Sequence, residues 1–250
     1  MKTFAVAAVL AVIVGGCGPG APGKPASPDG VDGALPTAPG EAQPVPTDEE
    51  APWYEDEVRA FEAADAAAMP EPGRVLFTGS SSVRLWPDLA GDMAPIPVLN
   101  RGFGGSSTPD VLAVMDRVVL PYEPSVIVYY CGDNDLGADN TDARAAAEGF
   151  FAFVERVHAA QPGTPILYLS IKPSPLRFGN WASAVRANQL VAQYAAATDH
   201  VTFVDVSTCL LGEDGQPRPE YYADDDLHLS DAAYAAWAKI VRAELEAVIH

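Results

Sequence analysis

The feature that most restricts the fold is an alternation of two residue patterns over residues 51–250. Short runs rich in β-branched and aromatic residues occur at Val75-Leu76-Phe77-Thr78, Pro97-Val98-Leu99, Val126-Ile127-Val128-Tyr129-Tyr130, Ile166-Leu167-Tyr168-Leu169 and Val201-Thr202-Phe203-Val204. Several are apolar at consecutive positions, as strands covered on both faces must be. Between them lie stretches with apolar residues at helical spacing: 53–68, 109–119, 141–160, 180–197 and 230–248, the last three Ala-rich. Thr108-Pro109 reads as an N-cap and first-turn proline, and Ser230 as the opening of the last helix. Strands alternating with helices predict an α/β domain, a three-layer sandwich with a parallel sheet and right-handed crossovers.

The first fifty residues follow neither pattern. Lys2 precedes an unbroken apolar run from Phe4 to Val14, too short to span a bilayer as a permanent helix. The run ends in Gly15-Gly16-Cys17, which resembles the bacterial lipobox. Residues 1–16 therefore read as a lipoprotein-type signal peptide, with Cys17 as the lipidated N-terminus after cleavage. Residues 18–50 hold eight Pro and six Gly and no aromatic. Such a polymer buries too little apolar surface to offset its ordering entropy, so 17–50 reads as a disordered tether. The expectation is an exported, membrane-tethered lipoprotein, periplasmic or at the cell surface, held to the membrane by its lipid anchor only.

Charge narrows the function. The chain carries 34 acidic against 15 basic residues, a net charge of −19. That balance excludes a nucleic-acid partner, which needs clustered Lys and Arg against phosphates. Three Cys are too few for a disulfide scaffold. With Cys17 lipidated, Cys131 and Cys209 remain; two buried free thiols are expected, with a disulfide between them as the alternative.

In an open parallel sheet, ligands bind beyond the carboxyl ends of the strands. The polar residues gather there. Gly79-Ser80-Ser81-Ser82 follows the first run, Asn100 to Ser106 the second and Gly132-Asp133-Asn134-Asp135 the third. Asp224-Asp225-Asp226-Leu227-His228 lies just before the last helix. Together they hold what acyl transfer needs: a hydroxyl, a base, a carboxylate and amide donors for an oxyanion. Of four histidines, only His228 has a carboxylate three residues earlier in a loop; His158, His200 and His250 read as surface residues. The acidic runs lack the EF-hand spacing and no phosphate-binding glycine motif is present, so neither metal nor cofactor is expected.

These segments resemble the four blocks of the GDSL, or SGNH, hydrolase family, in the family's order. The blocks are Gly79-Ser80-Ser81, Asn100 through Gly105, Gly132-Asp133-Asn134-Asp135 and Asp225-Asp226-Leu227-His228. Ile171-Lys172-Pro173-Ser174-Pro175-Leu176-Arg177 further resembles a bacterial subgroup with a triple-Ser first block. The resemblance implies a flavodoxin-like five-stranded parallel sheet of order 2-1-3-4-5. It implies Ser81 as nucleophile, His228 as base and Asp225 as its orienting carboxylate. It assigns the oxyanion donors to the backbone N–H of Ser81, the backbone N–H of Gly105 and the amide of Asn134. Ser80 and Ser82 remain alternatives to Ser81. Two positions depart from the family: Ser80 stands where Asp is usual, and Asp226 where Gly is usual. Trp86, Trp181, Phe178 and Arg177 are candidates to line the cleft. The implied activity is a serine esterase for small carboxylic esters, acetyl above all, on a carbohydrate. The alternatives are a lysophospholipase- or thioesterase-type lipid acylhydrolase, and a non-catalytic carbohydrate-binding lipoprotein on the same fold.

Overall fold

The structure is a computed structural model that describes residues 51–137 and 141–249. The signal peptide, Cys17, the tether up to residue 50 and His250 lie outside the described residues.

Five strands, β1 (Val75–Gly79), β2 (Val98–Gly102), β3 (Val126–Tyr130), β4 (Ile166–Leu169) and β5 (Val201–Val204), form one parallel sheet. Their order is β2-β1-β3-β4-β5, the order implied by the resemblance. Alternate side chains point to opposite faces of a strand, and the core divides accordingly. Leu76, Ile127, Tyr129, Ile166 and Tyr168 pack on one face. That face is covered by α1 (Glu55–Ala67), α4 (Thr108–Val118), α5 (Ala143–Ala160) and α6 (Trp181–Ala196). Val75, Phe77, Val128, Tyr130, Leu167 and Leu169 pack on the other, under the short helices α2 (Ser81–Arg84) and α3 (Leu89–Asp92) and the long α7 (Asp231–Ile249). Both faces are buried, which is why the runs read as continuous apolar segments.

Two boundaries differ from the sequence reading. β2 continues through Asn100 and Arg101 to Gly102, in register with Gly79 of β1. The polar pair stays in the strand because each side chain has a partner. Asn100 donates to the Val83 carbonyl at 2.8 Å, and Arg101 is bonded to Asp65 and Tyr122. Helix α4 is capped by Ser107 rather than Thr108, in a capping box with Asp110. Thr108 turns its hydroxyl inward to accept from Tyr129 at 3.0 Å, so it has no role as a cap.

The chain leaves β1 for β2 on one side and returns to β3 on the other. The strand order therefore reverses between β1 and β3, which sets a crevice at the carboxyl ends of these two strands.

Candidate active site

Ser81 stands at this crevice because β1 turns into α2 without a linker. The turn needs Gly79. Its φ is +124°, and a Cβ there would lie 1.9 Å from the Tyr130 carbonyl oxygen. That oxygen accepts the Ser80 N–H at 2.9 Å. The Ser80 carbonyl in turn accepts from Val83 and Arg84, which starts the helix. Ser80 and Ser82 are buried, whereas Ser81 keeps some exposure. As the first helical residue, Ser81 also has an N–H with no partner inside the helix.

His228 comes from the loop before α7. Its Nε2 lies 3.1 Å from Ser81 Oγ, and its Nδ1 lies 2.5 Å from Asp225 Oδ2. The other oxygen of Asp225 accepts the backbone N–H groups of Leu227 (3.0 Å) and His228 (2.9 Å). One tight turn thus fixes both the carboxylate and the ring. The hydrogen bonds from the His228 side chain and then from the backbone lower the Asp225 pKa to about 2. Asp226 has φ +57°, a left-handed conformation. This accounts for glycine being usual here, and Asp is among the few other residues that accept the conformation.

Two further loops, carrying Gly105 and Asn134, meet each other. Gly105 has φ +68°, and a Cβ there would lie 3.1 Å from Trp53 Cη2. Trp53 packs edge-on against Tyr54, which is anchored on Phe103, yet it remains 61% exposed. Glu57 of α1 accepts the Gly104 N–H at 3.2 Å. Asn134 donates from Nδ2 to the Ser106 carbonyl at 2.9 Å, which brings the Asn134 and Gly105 loops together. A hydroxyl facing an imidazole whose far nitrogen meets a carboxylate is the arrangement that activates an alcohol as a nucleophile.

The GDSL-like lipase/acylhydrolase family profile matches residues 67–236, more than half of the chain. The chain belongs to this family. No match is found among curated proteins. Among solved structures, a Streptococcus pneumonia protein named as a candidate platelet activating factor is 28% identical, with a TM-score of 0.69. The match covers 77% of this chain and 92% of that one. A candidate Bacteroides fragilis acylhydrolase is 19% identical, with a TM-score of 0.68 over 80% of this chain and 100% of that one. An acetyl-xylooligosaccharide esterase from Geobacillus Stearmophilus, in a mutant form, shares the fold at 16% identity. Its TM-score is 0.57, over 70% of this chain and 94% of that one.

This GDSL-like acylhydrolase has a buried ionic cluster beside the site that sequence reading did not find. Lys172 Nζ is 2.9 Å from Asp133 Oδ2 and 2.9 Å from the Leu227 carbonyl. Arg177 Nη1 donates to Asp133 Oδ1 (3.0 Å), to the Asp133 carbonyl (2.8 Å) and to Asn134 Oδ1 (2.9 Å). Burial alone would raise the Asp133 pKa, but the two cations hold it below the ordinary carboxylate value. The remaining residues of this block also have structural tasks. Gly132 has φ +118°, and a Cβ there would meet Ile171 at 2.5 Å. Asp135 accepts the Thr108 N–H at 3.0 Å, near the start of α4. The signal for the cluster was the string from Ile171 to Arg177, which the sequence marked as a family resemblance with Arg177 as a cleft candidate, without its ion pairs to Asp133.

The fold puts the other sequence candidates in different places, with Trp181 beside the ionic cluster. Trp86 is a core residue, packed on Phe77, Tyr234 and Trp237, and its indole donates to Asp92 at 2.7 Å. Trp181 borders a small cavity with Lys172 and Arg177. His158 meets the Thr164 carbonyl. Cys131 and Cys209 are both free. Burial pushes the Cys131 thiol pKa well up, so the thiolate needed for a nucleophile is disfavoured.

Proposed function

We propose that the protein is a serine esterase that hydrolyses small carboxylic esters, acetyl esters above all, on carbohydrate. The observation that carries this reading is the chain of contacts from Ser81 Oγ through the His228 ring to Asp225, assembled from segments 147 positions apart. Ser81 Oγ attacks the ester carbonyl carbon while its proton passes to His228 Nε2. The carbonyl oxygen becomes an oxyanion, bound by the N–H groups of Ser81 and Gly105 and the Asn134 amide. Collapse expels the alkoxide, which takes the proton back from His228. Water then repeats the sequence on the acyl-Ser81 ester and releases the acid. Asp225 stays ionised throughout and stabilises the imidazolium.

Two features support a small acyl group on a larger alcohol. Trp53 presents an exposed indole against Gly105, a plate on which a sugar ring can stack. The fold is also shared with the xylooligosaccharide esterase. Gly15-Gly16-Cys17 supports export and a lipid anchor at Cys17.

The test is hydrolysis of 4-nitrophenyl esters from acetyl to palmitoyl, beside acetylated xylo-oligosaccharide. The reading expects turnover of acetyl esters, falling with chain length, and none by Ser81→Ala. Preference for palmitoyl would replace it with a lipid acylhydrolase, and no turnover at all with a binding protein.

A further inference from the structure

An oxyanion donor is useful only if it points at the charge before the charge forms. A carboxamide is ambiguous in this respect, because rotation by half a turn exchanges its donor and acceptor ends. The environment of Asn134 removes the ambiguity. Its Oδ1 faces Arg177 Nη1 at 2.9 Å, a group that can only donate. Its Nδ2 faces the Ser106 carbonyl at 2.9 Å, a group that can only accept. In the reverse orientation a donor would meet a donor and an acceptor an acceptor. One N–H of the amide is spent on Ser106, and the second is left for the substrate.

Arg177 is itself held. Its Nη1 is fixed by both the carboxylate and the carbonyl of Asp133, the residue before Asn134. Asp133 is fixed by Lys172, whose side chain is 1% exposed. Lys172 also grips the carbonyl of Leu227, the residue before His228. Two cations share the Asp133 carboxylate, and Arg177 brings its charge directly against the amide oxygen. Hydrogen bonding of a cation to the amide oxygen draws electron density from the nitrogen and strengthens its N–H groups as donors.

The geometry points to Arg177 as a positioning residue of the oxyanion site, held by Asp133 and Lys172, that orients and polarises the Asn134 amide. The inference rests on the esterase reading above, and its test separates the two. Wild-type and Ser81→Ala turnover of 4-nitrophenyl acetate tests the reading. Arg177→Met, Asn134→Ala and the double variant test the inference. Loss of a whole oxyanion donor costs about 10²–10³ in kcat. Arg177→Met should therefore lower kcat by about tenfold to a hundredfold with KM within about twofold, because the interaction matters in the transition state. Arg177→Lys keeps the charge without the planar fork and should recover part of the loss. The double variant should be no slower than Asn134→Ala within about twofold, because Arg177 then has no amide left to act on.

Unchanged kcat in Arg177→Met would overturn the inference. So would a loss confined to KM, or losses that multiply in the double variant. Thermal melts show whether each variant folds. If Arg177→Met does not, the Arg177→Lys pair of single and double variants carries the same comparison. Activity in Ser81→Ala would instead overturn the esterase reading.

Discussion

Replacing Lys172 with Met tests how far the ionic cluster holds the protein together. Met keeps much of the length of the lysine stem but removes the ammonium. Asp133 Oδ2 and the Leu227 carbonyl each lose a donor at 2.9 Å. Removing one partner of a buried ion pair costs about 3–5 kcal/mol. Arg177 still covers the other carboxylate oxygen, so the loss belongs at the low end, about 3 kcal/mol. For a domain of this size that is a fall of about 6–12 °C in Tm. The loss should also depend on pH. In the wild type the two cations lower the Asp133 pKa, so its contribution is present above the ordinary carboxylate value and lost as pH falls through the lowered one. In the variant one cation is gone and burial dominates, which raises the pKa. The ionised carboxylate then opposes folding, and the penalty disappears as pH falls through that raised value. Urea unfolding at about pH 8 and about pH 5 should show a large gap from wild type at the first and a smaller one at the second. A gap below about 1 kcal/mol, or one that is the same at both pH values, would refute the reasoning.

Further outcomes follow from the catalytic turn. Asp225→Asn should reduce kcat by about 10³–10⁴ with little change in stability, because an amide no longer holds the imidazole in the required tautomer; steady-state kinetics and a melt measure both. Ser82→Ala should retain activity, since Ser82 is buried while Ser81 Oγ is the hydroxyl that meets His228; a loss equal to that of Ser81→Ala would move the nucleophile. Gly79→Ala should cost at least about 3 kcal/mol, because its Cβ would meet the Tyr130 carbonyl at 1.9 Å; a Tm within a few degrees of wild type would show that the strand can shift.

The strand and helix positions were legible because the evidence for them is local, whereas the strand order followed from the family resemblance. Val126 to Tyr130 is apolar at every position, and burial on both faces leaves that mark on a sequence. The extension of β2 was not legible, because Asn100 and Arg101 break the apolar run. They are tolerated through bonds to Val83, Asp65 and Tyr122, residues 17 to 36 positions away. The same distinction runs through the site. Ser81 and Asn134 stand out by chemical type after strand ends, and Asp225 and His228 in the loop before the last helix. Lys172 does not, because a loop lysine is ordinarily solvated and only the tertiary fold shows its ammonium to be buried. Trp53 is missed because an aromatic near the start of a helix carries no sequence mark of the exposure the fold gives it.

The departure at Asp226 shows which requirement the site imposes there. The side chain is solvent-exposed, so the carboxylate itself is not what the fold holds. What is held is the backbone. The left-handed φ of +57° turns the chain so that Leu227 and His228 can both donate to Asp225. It also presents the Asp226 carbonyl to the N–H of Leu176 at 3.0 Å. The histidine loop is therefore gripped at two successive carbonyls, Asp226 by Leu176 and Leu227 by Lys172. The same segment, through Arg177, grips the Asn134 loop. In the proposed mechanism, a stretch between β4 and α6 that supplies neither nucleophile nor base thus joins the base to an oxyanion donor. On this reading the motifs that mark the family record the groups proposed to face the reaction, and Lys172 and Arg177 of the connecting segment contact the loops that carry two of them.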